Sequence, residues 1–128
     1  MQNKIEIKKC EKCGAMVEVV VPCNCKNCGI SCCGEQMKTV EANSKEFSFE
    51  KHMPTFKINE EKTKIEVEVP HVMEEQHFIE WIAIKNKFGK QVKFLSSGEK
   101  AQATFDYVEG STIYSYCNLH SLWSKVVE

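Results

Sequence analysis

His77-Phe-Ile-Glu-Trp-Ile-Ala-Ile84 is apolar and aromatic on both faces, the composition of a strand covered from two sides within a sheet. Upstream, Thr63-Lys-Ile-Glu-Val-Glu-Val69 alternates charged and apolar residues with a period of two, which marks a half-buried strand. Downstream, Gln91 to Leu95, Ala103 to Tyr107 and Ser111 to Tyr116 are further β-prone runs, punctuated by Gly89, Ser96-Ser-Gly98 and Glu109-Gly110. Pro54 and Pro70 stand at run ends, where a missing N–H does least harm to a ladder. No stretch of a dozen residues holds a 3.6 period. Strands recurring every ~8–12 residues predict a mainly β chain whose body, residues 39–128, is a small sandwich. Ile79, Trp81, Phe94 and Trp123 are expected in its core or as walls of a site. Met37 and Met73 are expected to pack, and Glu74 and Glu75 to form a solvated turn.

The 128 residues are 42% apolar and 27% charged, a globular balance with enough hydrophobic surface for one core. A net charge of −1 argues against a protein whose main affinity is for phosphate backbones or anionic lipid, since such partners call for a basic excess. The longest uncharged apolar stretch, Val19 to Pro22, falls far short of the roughly 20 residues needed to cross a bilayer. Met1-Gln-Asn-Lys-Ile-Glu-Ile-Lys-Lys9 interleaves charges where an export signal needs a continuous apolar run. The expectation is a soluble cytoplasmic protein.

The eight cysteines depart from this ordinary picture. Seven fall between Cys10 and Cys33, and Cys117 stands alone near the C-terminus. A disulfide framework would staple the whole chain. Clustered cysteines in a reducing compartment are metal ligands more often. Residues 1–38 are too few to bury a core, the size at which a metal usually has to help. In Cys10-x-x-Cys13-Gly14 the two intervening residues let the chain curl so that both sulfurs face one point. A tetrahedral site needs a second pair, and two compete: the vicinal Cys32-Cys33-Gly34 and the second knuckle, Cys25 and Cys28. Neighbours on an extended chain point to opposite sides, so spacing alone makes Cys25/Cys28 the more familiar geometry. Four sulfurs suit iron or zinc.

All four histidines, His52, His71, His77 and His120, lie in the β body beside its single cysteine. A lone histidine is usually a surface residue or a hydrogen-bonded core residue. Four with one thiol change that reading. Cys117-Asn-Leu-His120 puts a thiolate and an imidazole three residues apart, and His71 and His77 bracket a short segment able to bring both rings to one centre. Four nitrogens and one sulfur make a five-coordinate site with an open sixth position, which suits iron doing small-molecule chemistry.

Five blocks, Cys10-x-x-Cys13-Gly14, Cys32-Cys33-Gly34-Glu35-Gln-Met37, Glu50-Lys51-His52-Met53-Pro54, His71-Val-Met-Glu-Glu-Gln-His77-Phe-Ile-Glu-Trp81 and Cys117-Asn-Leu-His120, together resemble the desulfoferrodoxins, the two-iron superoxide reductases of anaerobes. The resemblance spans almost the whole chain. It implies a desulforedoxin-like domain over residues 1–38 holding Fe(Cys)4, an immunoglobulin-like sandwich over 39–128 holding Fe(His)4Cys, and a homodimer. Carried over by position, Cys10, Cys13, Cys32 and Cys33 bind the first iron, where zinc can substitute in recombinant protein. His52, His71, His77 and His120 surround the second, with Cys117 axial. Glu50 resembles the glutamate that fills the sixth position in the oxidised state, and Lys51 the lysine that steers superoxide. The segment between Cys13 and Cys32 departs from the pattern in its length and in Cys23, Cys25 and Cys28, which the pattern does not require. Gln36 stands where a proline is common, and Ser121 where a glycine usually follows the histidine.

The activity so implied is one-electron reduction of superoxide to hydrogen peroxide, without O2 as a product, drawing electrons from a small redox protein such as rubredoxin. The competing reading is a non-catalytic electron carrier or metal-binding module. Colour separates them, because a ferric thiolate among imidazoles absorbs in the visible and a zinc site does not.

Overall fold

The computed structural model describes residues 4–25, 29–44 and 52–128. Its described elements are all strands, and no described helix is long and apolar enough to cross a membrane. The chain divides into two compact units, Ile5–Glu41 and a larger one comprising Ala42–Glu128.

The larger unit is a pair of antiparallel sheets. One has the order β10-β7-β6, from strands β6 (Thr55–Ile58), β7 (Lys64–Glu68) and β10 (Gln102–Asp106). The other has the order β12-β11-β8-β9, from β8 (Ile79–Asn86), β9 (Gly89–Phe94), β11 (Thr112–Cys117) and β12 (Ser121–Val126). Alternation in β7 sends Ile65 and Val67 inward, and the matching alternation in β10 sends Phe105 and Ala103 inward directly opposite them. From the second sheet Ile79, Ile82, Ile84 and Ile113 join the same core, each fully buried. Burial of each such side chain contributes roughly 1.5–3 kcal/mol, so this one cluster supplies most of the unit's cohesion.

The segment 77–84 reads as an interior strand because β8 is one, flanked by β9 and β11. Phe94 is the exception among the expected core residues. It closes β9, the edge strand of the sheet, and stays 77% exposed while Trp81 opposite it stacks on Tyr116, with ring centroids 5.7 Å apart. An edge strand has one covered flank at most, so an aromatic side chain there can remain in water. Two strands, β6 and β12, escape the sequence pattern. In β12 the adjacent Leu122 and Trp123 are both buried, which breaks the period of two.

The smaller unit has the sheet order β2-β1-β5, from β1 (Ile7–Lys9), β2 (Met16–Glu18) and β5 (Lys38–Val40). A two-residue hairpin joins β3 (Ser31–Cys32) to β4 (Glu35–Gln36). Among the described residues, its buried apolar side chains are Ile7, Cys10 and Met37. That is too little burial to stabilise an independent unit without a cross-link or a metal.

Candidate functional site

Antiparallel pairing puts the end of one strand beside the start of the next, and every expected ligand of the body lies at such a junction. His52 precedes β6, His71 follows β7, His77 precedes β8, Cys117 ends β11 and His120 sits in the turn to β12. The registers Thr55↔Glu68, Cys117↔Ile79 and Cys117↔Ser121 bring these starts and ends to one end of the two sheets. A register shift between Tyr116 and Cys117 leaves Glu80 as an extra residue in β8, a bulge at the point where the thiol emerges. Bulges re-aim side chains in this way.

The four imidazoles form a closed ring of neighbours. Centroids are 4.7 Å apart for His52–His71, 4.7 Å for His71–His77, 5.0 Å for His77–His120 and 4.9 Å for His120–His52. Cys117 is completely buried, its Sγ 3.5 Å from His71 Nε2 and 3.8 Å from His120 Nδ1, and His52 Nε2 lies 3.1 Å from that same His120 nitrogen. One donor atom from each of the five residues lies within 4.8 Å of the others. His52 and Cys117 are buried while His120 is exposed, so the cluster has a protein side and a solvent side.

The supporting contacts fix how these rings are presented. His71 Nδ1 is 2.6 Å from the Val72 carbonyl, which can only accept, so the proton resides on Nδ1 and the Nε2 lone pair is turned toward the Cys117 sulfur. His52 is held from two directions: the Ser115 hydroxyl donates to its carbonyl at 3.0 Å, and Trp123 stacks on its ring at 4.6 Å with planes 8° apart. The Trp123 indole N–H also donates to the His120 carbonyl at 3.0 Å. Asn118, between Cys117 and His120, accepts from the Phe78 N–H and donates to the Gln76 carbonyl, both at 3.0 Å, and so grips the chain on either side of His77. A bridge between Glu74 and His77 closes the short loop that ends on His77.

Five donors exceed the four of a closed structural zinc site, and neutral imidazoles with one thiolate suit a transition-metal ion with a position left for a small ligand. The structure brings together the five residues that the sequence singled out, and Trp123, expected in the core or as a wall of a site, is buried against His52. Asn118 is the support that sequence reasoning missed, although its place between Cys117 and His120 is a usable signal.

In the smaller unit Cys10, Cys13, Cys32 and Cys33 form a second group whose sulfurs also lie within 4.8 Å of one another. Cys25 does not join it, and Cys28 lies outside the described residues. The vicinal pair converges because it is not extended. Cys33 and Gly34 both have positive φ, 55° and 78°, as the central residues of a two-residue hairpin turn. The turn brings Cys33 Sγ to 3.9 Å from Cys32 Sγ, which itself is 3.6 Å from Cys13 Sγ. Across from it, the Gly14 N–H donates to the Cys10 carbonyl at 2.9 Å and closes the knuckle, with Gly14 at φ 82°. The backbone N–H of Cys13, assisted by that of Lys12, draws the Cys10 thiol down to about 7. Hydrogen bonding with Cys10 and then Cys13 pushes Cys32 up to about 12, and Cys33 is raised mainly by Cys13. One sulfur of the four is thus prepared to be anionic while Cys32 and Cys33 hold their protons, a state that a divalent cation would discharge. Four sulfurs with no other donor suit iron or zinc.

Glu50 and Lys51, the expected sixth ligand and steering cation, lie outside the described residues.

The desulfoferrodoxin family profile matches residues 44–126. The desulfoferrodoxin of Syntrophotalea carbinolica is 37% identical over 128 residues, covering 98% of each chain. Among solved structures, the superoxide reductase of Treponema pallidum superposes with a TM-score of 0.75 at 22% identity, over 96% of this chain and 98% of that one. The superoxide reductase (neelaredoxin) of Ignicoccus hospitalis does so with a TM-score of 0.50 at 27% identity, over 61% of this chain and 78% of that one. With two ligand clusters in the two units and nearly full-length similarity, the chain belongs to the desulfoferrodoxin family.

Proposed function

We propose that this protein is a superoxide reductase, converting superoxide to hydrogen peroxide with one electron and two protons and releasing no O2. The observation that carries the reading is the closed ring of four imidazoles with a buried thiol among them. A metal store has no use for a five-donor arrangement that keeps a solvent side.

His52, His71, His77, His120 and Cys117 would hold an iron ion, and Cys10, Cys13, Cys32 and Cys33 a second, with zinc an alternative occupant of the four-sulfur site. Bound at the five-donor site, iron supplies the single electron and a position for a small anion. The chain's own residues do the rest. Cys117, wholly shielded from water, would bind that iron as a thiolate whose electron donation is undiluted by solvent. The Val72 carbonyl keeps His71 in the tautomer that offers Nε2. Lys51, adjacent in sequence to the ligand His52, attracts an anionic substrate to a slightly acidic protein and holds a proton at Nζ for the departing peroxide. Glu50, two residues before His52 in sequence, would supply a further carboxylate donor to the site in its oxidised state. Electrons come from a small redox protein of the rubredoxin class. The unit Ile5–Glu41 is the four-sulfur domain and the unit comprising Ala42–Glu128 the catalytic one, in a homodimer working in the cytoplasm.

The test is anaerobically prepared, iron-loaded full chain challenged with a pulse of superoxide. Two irons per chain, a visible thiolate band that bleaches on reduction, and peroxide formed without O2 are expected. Lys51→Ala should slow capture and flatten its ionic-strength dependence, since a steering charge acts through a screened field. Cys117→Ser should stay folded by circular dichroism but lose the visible band and turnover. O2 evolution, or a folded Cys117→Ser protein turning over at the parental rate, would end this reading.

A further inference from the structure

Three cysteines, Cys23, Cys25 and Cys28, are absorbed by neither ligand set. They share the connection between β2 and β3, and the two that the structure describes are both exposed. Cys23 is disulfide-bonded, whereas Cys25 carries a free thiol. Their Sγ atoms are 3.1 Å apart. A disulfide bond is about 2.05 Å long, so a shift of about 1 Å along the S···S line would bond them. Neither residue belongs to the four-sulfur group, whose members are Cys10, Cys13, Cys32 and Cys33.

Thiol–disulfide exchange has three structural requirements: a disulfide sulfur open to attack, a thiol within reach of it, and access for a small partner. All three are present in this connection. Structural disulfides are usually protected by burial, and exposed ones with a neighbouring thiol are the labile kind. We propose that Cys23 and Cys25 form a thiol–disulfide exchange site for low-molecular-weight thiols and disulfides, separate from both metal centres and independent of the iron chemistry proposed above.

The step balances within the chain. The Cys25 thiolate attacks Cys23 Sγ and the Cys23–Cys25 bond forms. The bond from Cys23 to its present partner breaks, the electron pair leaves on the partner sulfur, and that sulfur takes up the proton Cys25 gave to solvent. One disulfide and one thiol stand on each side, so no oxidant is consumed. With an external thiol, two equivalents reduce the disulfide to two protein thiols and leave as one small disulfide. When a small thiol forms a mixed disulfide on Cys23, Cys25 resolves it by the same attack.

The experiment uses the full metal-loaded chain equilibrated with reduced and oxidised glutathione at set ratios. Samples are acid-quenched and alkylated, the disulfides mapped by peptide mass spectrometry, and the metals counted. The Cys23–Cys25 linkage should appear among the disulfide isomers of the parent. The comparison is made in Cys28→Ser, where Cys25 is the one other cysteine of this connection left to resolve an adduct on Cys23. There, adding Cys25→Ser should make the glutathione adduct on Cys23 accumulate. At about 0.1 mM glutathione it should resolve about tenfold more slowly, since a tethered thiol acts at an effective concentration on the order of millimolar. Metal content should be the same in both proteins. Absence of the Cys23–Cys25 linkage at every ratio, or equal resolution rates in Cys28→Ser and in Cys28→Ser with Cys25→Ser added, overturns the proposal. Loss of metal in Cys25→Ser also overturns it, by making Cys25 a ligand.

Discussion

Trp123 lies flat on His52, ring centroids 4.6 Å apart and planes 8° from parallel, while its indole N–H reaches the carbonyl of His120 at 3.0 Å. One side chain thus braces two histidines of the cluster that are 68 residues apart in sequence. Trp123→Phe keeps an aromatic face against His52 and loses the hydrogen bond, at a cost of about 1 kcal/mol. Trp123→Ala removes both and opens a cavity, costing about 3–5 kcal/mol. Denaturant titration should rank the two in that order. Metal affinity should fall for Trp123→Ala beyond the stability loss of a cavity made elsewhere in the core, for example Ile113→Ala.

Asn118 ties the Cys117–His120 turn to the His77 loop through the Phe78 N–H and the Gln76 carbonyl. Asn118→Ala leaves both backbone groups without that partner and should destabilise the protein by about 1–3 kcal/mol. Outer-shell partners of metal ligands typically govern affinity by about 10–100-fold. A competition titration with a chelator should show a loss of that order at the histidine site and none at the four-cysteine site. Equal losses at both sites would show general unfolding instead.

Ser121 occupies the left-handed region at φ 73°, immediately after His120 and opposite Cys117. A side chain in that conformation costs about 1–2 kcal/mol, and glycine avoids most of it. Ser121→Gly should therefore raise stability by about 1 kcal/mol, read as a shift in the urea midpoint at unchanged slope. A stability loss would show that the greater freedom of glycine in the unfolded chain outweighs the relieved strain.

The four-cysteine site carries a pH signature of its own. The Cys10 thiol, held down to about 7 by the Cys13 N–H, is already anionic in the metal-free protein at pH 8 and protonated at pH 6. Metal binding below pH 7 must expel one more proton than above it, so affinity should fall more steeply as pH drops through 7. The added slope is one proton per metal, or about tenfold in affinity per pH unit. Proton release measured during zinc titration of the metal-free protein should increase by one across this interval. An unchanged release would show that Cys10 is not the anionic member of the nest.

Residue order alone sets the faces of the body strands, because alternation is a local property: Ile65 and Val67 in β7 and Ala103 and Phe105 in β10 turn inward as their spacing requires. It also determined the candidate ligands of the body, because four imidazoles and one thiol are rare enough in a chain of this size to be read together. It did not reveal β12, where Trp123 is buried against a ligand ring, or the exposure of Phe94 on an edge strand, since both depend on which strands become neighbours. Spacing alone favoured Cys25/Cys28 as partners of Cys10 and Cys13, the family resemblance pointed to Cys32 and Cys33, and the tertiary structure brings those two to the knuckle. Spacing assumes an extended chain, while the positive φ values of Cys33 and Gly34 fold the vicinal pair into a turn. The same holds for the proton on His71, which the Val72 carbonyl fixes, and for the ring of imidazoles itself. Side-chain types and their periodicity are written along the chain, but convergence of five donor atoms is a property of strand ends brought together by antiparallel pairing across dozens of residues.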